Sequence, residues 1–257
     1  MEINSIKSLY VETFFNQIRL ATATGFVVKY NEKFYLITNR HVVTGRNNIN
    51  GKCLDEKNAS IPNCLHVWLP SSIETGEIIH RINWDYTNIP LKNENDEPIW
   101  IEDKKEHRMK YDVAAIPLKE FDEKFSYEID TDYETYVTDK VYIVGYPYGL
   151  DISEHGGKFG IWTLGSIASE PLIQYTFLGE KLPVILIDAK TRSGQSGSPV
   201  IYYDVGGVLR SEEGVKIYGK PITKTIGIYS GRFDANSDLG FVWQWNVIKE
   251  IIDGDMS

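Results

Sequence analysis

Short runs rich in Val, Ile, Tyr and Phe recur along almost the whole of this 257-residue chain, each closed by turn residues, and that rhythm restricts it to an all-β fold. The runs in the first part are Ile18 to Tyr30, Phe34 to Thr38, Leu65 to Leu69, Tyr111 to Leu118 and Val141 to Tyr146. Those in the second part are Ile161 to Ala168, Val184 to Asp188, Pro199 to Tyr203, Thr225 to Ser230 and Leu239 to Trp243. Tyr30-Asn31-Glu32, Asn50-Gly51, Gly156-Gly157 and Gly206-Gly207 separate them with turn chemistry. Many short strands at this length read as barrels or sandwiches. Helical spacing is confined to the ends, with Ile6, Leu9, Tyr10 and Phe14 on one stripe and Trp245, Ile248, Ile251 and Ile252 on the other.

Composition removes several function classes. The net charge is −9 and no basic run of five occurs, so a nucleic-acid phosphate surface has no support. No apolar stretch approaches the roughly 18 residues of a spanning helix, and no membrane association is expected. Glu2, Lys7, Glu12 and Arg19 break up any signal-peptide core. Cys53 and Cys64 are too few for a disulfide framework, and the expectation is reduced thiols in a cytoplasm. Lys119 to Asp139 holds eight acidic residues against two lysines and reads as a solvated connector. The expected division is therefore 1–118, a connector over 119–139, and 140–257. A second polar stretch, Asn83 to Lys110, reads as an insertion between strands.

Three segments carry chemistry. In Ser193-Gly194-Gln195-Ser196-Gly197-Ser198-Pro199, a serine stands between glycines before a strand. Such a turn can expose the hydroxyl and aim successive backbone N–H groups at one point, although a plain Gly/Ser turn looks the same. In Phe34-Tyr35-Leu36-Ile37-Thr38-Asn39-Arg40-His41-Val42-Val43, an apolar strand delivers a histidine at its end. In Tyr111-Asp112-Val113-Ala114-Ala115-Ile116-Pro117-Leu118, an aspartate opens a strand. A partly buried carboxylate beside an imidazole would fix its tautomer; alone, it reads as a turn residue.

In the order His, Asp, Ser, the three segments resemble the trypsin-like (chymotrypsin-fold) serine peptidases, and most of all their bacterial high-temperature-requirement branch. Spacings of 71 residues from His41 to Asp112 and 84 from Asp112 to Ser196 suit one triad member per motif. The resemblance spans about residues 20 to 245. It implies two packed antiparallel six-stranded β-barrels, roughly 16–118 and 140–243, with short N- and C-terminal helices; no C-terminal peptide-binding domain is expected in the space left after the last strand. It implies His41 as general base, Asp112 as its orienting carboxylate, Ser196 as nucleophile, and the N–H groups of Gly194 and Ser196 as oxyanion hole. The stretch Gly227-Ile228-Tyr229-Ser230-Gly231-Arg232 resembles the family strand that pairs with extended substrate, and Gly240-Phe241-Val242 the far wall of the specificity pocket. Counting back from Ser196, Lys190 and Thr191 fall at the base of that pocket, with Arg192 nearby and Arg232 where many relatives keep glycine. A cation at the base would favour an acidic residue before the cut, whereas the high-temperature-requirement branch often selects small aliphatic ones.

Two departures bear on control. Gln195 stands where digestive relatives place the aspartate that pairs with a new N-terminus, so activation by N-terminal cleavage is not expected. Val42 follows the histidine where secreted relatives have a cystine. The expected activity is a regulated intracellular serine endopeptidase without metal or cofactor, acting on protein or peptide substrates and open to a regulatory protein partner. The alternative is an inactive peptidase-fold module that binds extended peptides by strand addition. An α/β-hydrolase is disfavoured because Gly194-Gln195-Ser196-Gly197-Ser198 leads into a strand rather than a helix. Metal chemistry has little support, since His41, His66, His80, His107 and His155 form no His-Glu-x-x-His pattern and Cys53 and Cys64 lack close pairing.

Overall fold

The computed structural model describes residues 2–75, 78–104, 111–129, 134–152, 157–177, 179–211, 214–234 and 236–255. His107, His155, Asp130, Asp132 and the last part of the Asn83 to Lys110 stretch lie outside the described residues.

The first unit holds α1 (Asn4–Lys7), β1 (Ser8–Phe15), β2 (Ile18–Tyr30), β3 (Lys33–Thr38), α2 (Arg40–Thr44), β4 (Cys64–Thr75), β5 (Ile78–Pro90), β6 (Ala114–Leu118) and β7 (Ser126–Glu128). Its strands form a seven-stranded sheet ordered β5-β4-β1-β2-β3-β6, with β7 added in parallel to β2. The second unit holds β8 (Lys140–Gly145), β9 (Ile161–Ile167), β10 (Tyr175–Phe177), β11 (Glu180–Leu182), β12 (Val184–Ala189), β13 (Pro199–Asp204), β14 (Val208–Ser211), β15 (Gly214–Ile217), β16 (Ile222–Arg232), β17 (Leu239–Gln244) and α3 (Trp245–Asp255). Six of these close into a barrel, β12-β17-β16-β13-β8-β9, while β10–β11 and β14–β15 stand as separate two-stranded sheets. The chain has the all-β, chymotrypsin-like architecture that the sequence implies, with the closed six-stranded barrel in the second unit and a seven-stranded sheet, one strand of it parallel, in the first.

Three expectations change in detail. Ile6, Leu9, Tyr10 and Phe14 do not share a helix: α1 ends at Lys7, Leu9 and Tyr10 lie buried in β1 opposite Gly25 and Thr24 of β2, and from Val11 to Phe14 the strand pairs with β4 as well. Flanked by partners on both sides, this segment gains two ladders of backbone hydrogen bonds that a lone helix would forgo. The acidic connector is partly structure. Asp122 caps a short turn, and Phe125 and Tyr127 are buried as β7 joins β2. The Asn83 to Lys110 stretch begins as strand, because its first eight residues belong to β5 and pair with β4.

Two apolar cores fill the interiors, and a third occupies the seam. The seam core joins Phe26, Val28, Tyr35 and Ile37 of the first unit to Val144, Ile201, Ile228 and Trp243 of the second. Helix α3 completes it, burying Trp245, Val247, Ile248, Ile251 and Ile252 along one face. Burial of each such side chain contributes about 1.5–3 kcal/mol. The N-terminal segment also straps the two units together. Asn4 Nδ2 donates to Thr223 Oγ1 (2.9 Å), Trp162 Nε1 to Ser5 Oγ (2.8 Å), and Ser8 Oγ to Val144 O (2.7 Å).

Candidate active site

The histidine is delivered by a tight hairpin. Asn31 and Glu32 both take positive φ (49° and 59°), the primed turn that matches strand twist, and β2 and β3 pair from Tyr30↔Lys33 to Phe26↔Ile37. The chain then enters α2, anchored by buried Val42 and Val43 and ended by Gly45 at φ 62°, whose N–H donates to His41 O (3.0 Å). Pinned at both ends, His41 has little freedom to swing away from β6.

Asp112 precedes β6 and is held from three directions. The backbone N–H of His41 donates to Asp112 Oδ1 (2.9 Å), and His41 Nδ1 lies 2.7 Å from Asp112 Oδ2. The hydroxyl of Ser230, on β16 of the other unit, donates to the same Oδ2. Asn39, fully buried, donates to the backbone carbonyl of Asp112 (2.7 Å) and fixes the peptide itself. Burial alone would lower the His41 pKa, but the charge and hydrogen bond of Asp112 outweigh it and hold the imidazole above its ordinary value. Burial would likewise raise the Asp112 carboxyl, yet His41, Ser230 and the His41 N–H keep it below the usual range. With an ionised acceptor at Nδ1, the neutral ring carries its proton there and presents a lone pair at Nε2.

Ser196 sits in a loop packed too closely for side chains at its glycines. Gly194 (φ 92°) faces the carbonyl of Tyr146, 2.3 Å from where a Cβ would stand, and Gly197 (φ 87°) faces that of Thr24 at 2.0 Å. Three links brace the loop. Tyr148 N donates to Ser193 O (2.6 Å), Thr24 Oγ1 to Gly194 O (2.8 Å), and Thr24 N to Ser196 O (2.9 Å). Carbonyls 193 and 194 are thereby turned into the protein. Among the described residues, the N–H groups of Gly194 and Ser196 meet no acceptor, as an oxyanion site requires. The Ser196 hydroxyl donates to Ser230 O (3.2 Å) and not to His41, although both side chains line one cavity of about 390 Å³.

A family model described as a trypsin-like peptidase domain matches residues 23–209, most of the chain and all three motifs. The chain belongs to the trypsin-like peptidases. No curated protein matches it in sequence. Among solved structures, the chain is similar to the Rv3671c protease of M. tuberculosis in its inactive form, at 16% identity and TM-score 0.50 over 98% of this chain and 89% of that one. It is also similar to a serine endoprotease from Yersinia pestis, at 14% identity and TM-score 0.52 over 99% of this chain and 66% of that one. An HtrA-type protease with tripeptide matches at 15% identity and TM-score 0.55, over 97% of this chain and 60% of that one. At such identities the likeness is one of fold, and it includes the high-temperature-requirement branch.

In this trypsin-like peptidase domain, the uncharged Gln195 braces the serine loop. Its side chain is fully buried, accepting from Arg192 N (2.8 Å) and donating to Thr163 Oγ1 (2.9 Å), so the loop is tied to β9. Gln195→Leu keeps the volume and removes both bonds. It is expected to cost about 1–3 kcal/mol of stability and to lower kcat more than KM, read by thermal melting and steady-state kinetics.

The specificity residues divide. Ser230, Gly231 and Arg232 line a second cavity on the other side of His41. Thr191 is buried, its hydroxyl paired with the Tyr229 phenol. Lys190 is exposed and is not among the residues lining these two cavities. Sequence reasoning missed Thr24 and the Tyr146–Gly149 turn. Gly145-Tyr146-Pro147-Tyr148-Gly149 after a strand, with glycine at both ends, was the available signal of a tight packing element.

Proposed function

We infer that this protein is a serine endopeptidase working through an acyl-enzyme, with His41, Asp112 and Ser196 as its triad. The 2.7 Å contact of His41 Nδ1 with Asp112, on a ring that shares a cavity with Ser196, carries the reading. An extended substrate pairs with Ser230–Arg232 and brings its scissile carbonyl to Ser196. His41 Nε2 takes the hydroxyl proton as Oγ bonds to the carbonyl carbon, and the N–H groups of Gly194 and Ser196 receive the developing oxyanion. The imidazolium then gives that proton to the leaving amine as the C–N bond breaks. Water, activated by the same histidine, hydrolyses the ester. The Ser196 hydroxyl, donating to Ser230 O in the free protein, turns to His41 when substrate claims that carbonyl, in keeping with catalytic hydrogen bonds that tighten only in the complex.

Cytoplasmic action, with restraint by a protein partner, completes the proposal. Cys53 and Cys64 are both free, as a reducing compartment favours, and Gln195 offers no ion pair for a cleaved N-terminus. A fluorophosphonate probe is expected to label the wild-type protein, with the adduct on Ser196 by mass spectrometry, and the protein to cut an unfolded polypeptide. An unlabelled protein that still binds extended peptides would favour the binding module.

A further inference from the structure

Beyond His41, on the side away from Ser196, lies an apolar cavity of about 210 Å³. Leu54, Phe177, Val184, Phe241 and Trp243 supply its walls, and Gly231 stands at its edge with open space where a side chain would project. Its size is below that of a small-molecule pocket and suits a side chain.

The space on the opposite face of the same strand is closed. Tyr229 is 2% exposed. Its ring lies against Gly240, 2.6 Å from where a Cβ would stand, and its phenol meets the Thr191 hydroxyl. Burial pushes that phenol up to about 12, so it stays protonated and hydrogen-bonded at any working pH. The backbone of Tyr229 is locked as well, its N–H donating to Ser198 O and its carbonyl accepting from Gly197 N, both at 2.9 Å.

A strand laid along Ser230–Arg232 presents successive side chains to opposite faces. With the scissile carbonyl at Ser196, the residue immediately before the cut points between the Thr191–Ser196 loop and Tyr229. The one before it points past His41 and Gly231 into the cavity. We propose that this peptidase selects its substrates by a large apolar side chain on the second residue before the scissile bond, held in the cavity beyond His41, and that Tyr229 limits the residue immediately before the bond to small side chains. This rests on the endopeptidase reading above.

A positional peptide library, read by mass spectrometry, tests it. Wild-type protein is expected to cut after Gly, Ala or Ser preceded by Leu, Phe or Met. Phe177→Ala removes a half-buried cavity wall. It should lower kcat/KM for peptides with Phe at the second position about tenfold more than for those with Ala there, within the range one hydrophobic pocket contributes. Tyr229→Val should open the closed face and raise kcat/KM for Leu relative to Ala immediately before the cut by about tenfold or more. Circular dichroism would check that it folds; if it does not, Phe177→Ala decides. Cleavage by the wild type after large residues, or equal loss on all peptides in Phe177→Ala, would overturn the proposal while fluorophosphonate labelling of Ser196 leaves the endopeptidase reading standing. Neither labelling nor cleavage would overturn both.

Discussion

Replacing Ser196 with alanine is expected to lower kcat on peptide substrates by roughly five to six powers of ten and to abolish fluorophosphonate labelling. The size follows from the way a triad works as a unit: without the nucleophile, the His41–Asp112 pair has no hydroxyl to deprotonate. What remains is water attack assisted by the N–H groups of Gly194 and Ser196, which the substitution leaves in place. The fold should hardly register the change. The hydroxyl makes one hydrogen bond among the described residues, to Ser230 O at 3.2 Å, and its loss costs about 0.5–1.5 kcal/mol. A melting temperature within a few degrees of wild type, beside a vanished rate, would separate chemistry from stability. A Ser196→Ala protein that still cuts at a tenth of the wild-type rate would disprove the assignment of the nucleophile.

The second large effect is expected from Asp112→Asn, a change of nearly constant shape. The amide oxygen can still accept from the His41 N–H. The amide nitrogen then faces His41 Nδ1 as a donor, the ring must carry its proton on Nε2, and the lone pair that would deprotonate Ser196 is gone. Loss of about four powers of ten in kcat is the expected scale. The pH profile gives an independent readout. Neutral His41 is the active form, so wild-type kcat/KM should rise with pH through a midpoint above the ordinary histidine value of 6.5, because Asp112 holds the imidazolium. In the asparagine variant the carboxylate is gone and burial remains, so the midpoint should move below that value. An unshifted midpoint would mean that Asp112 does not set the charge state of His41.

The parts of the site that were legible in the sequence are those that local order encodes. An apolar strand ending in Asn39-Arg40-His41, a strand opened by Asp112, and a glycine-flanked Ser196 each place a side chain by their own short segment. The supports of those segments were not legible, because they come from far along the chain. Thr24 reaches Gly194 across 170 residues, Ser230 reaches Asp112 across 118, and Gln195 reaches Thr163 across 32. No spacing rule encodes such meetings. The same limit explains β1 and β7. Leu9 and Tyr10 satisfy helical spacing as readily as strand pairing, and only the neighbouring β2 decides between them. Phe125 and Tyr127 are two apolar residues in an acidic stretch, and their burial depends on β2 offering an edge. The burial of Thr191 next to the exposed Lys190 has a similar origin. Counting along the chain fixes an order of residues, and Thr191 with Tyr229 won the interior by pairing across the barrel.

The seam core has a consequence for the birth of the protein. The proposed triad spans the two units, and the apolar layer that joins them is completed by α3, which follows His41, Asp112 and Ser196 in the chain. During synthesis, His41 and Asp112 leave the ribosome first and Ser196 well after them. The roughly 60 residues from there to the end of α3 take on the order of 3–12 s more at ordinary elongation rates. Until then Trp245, Ile248 and Ile252 have not covered the junction, and the Ser230 contact with Asp112 has no stable seam to hold it. The proposed cleft is therefore expected to assemble only after α3 has emerged and packed against both units.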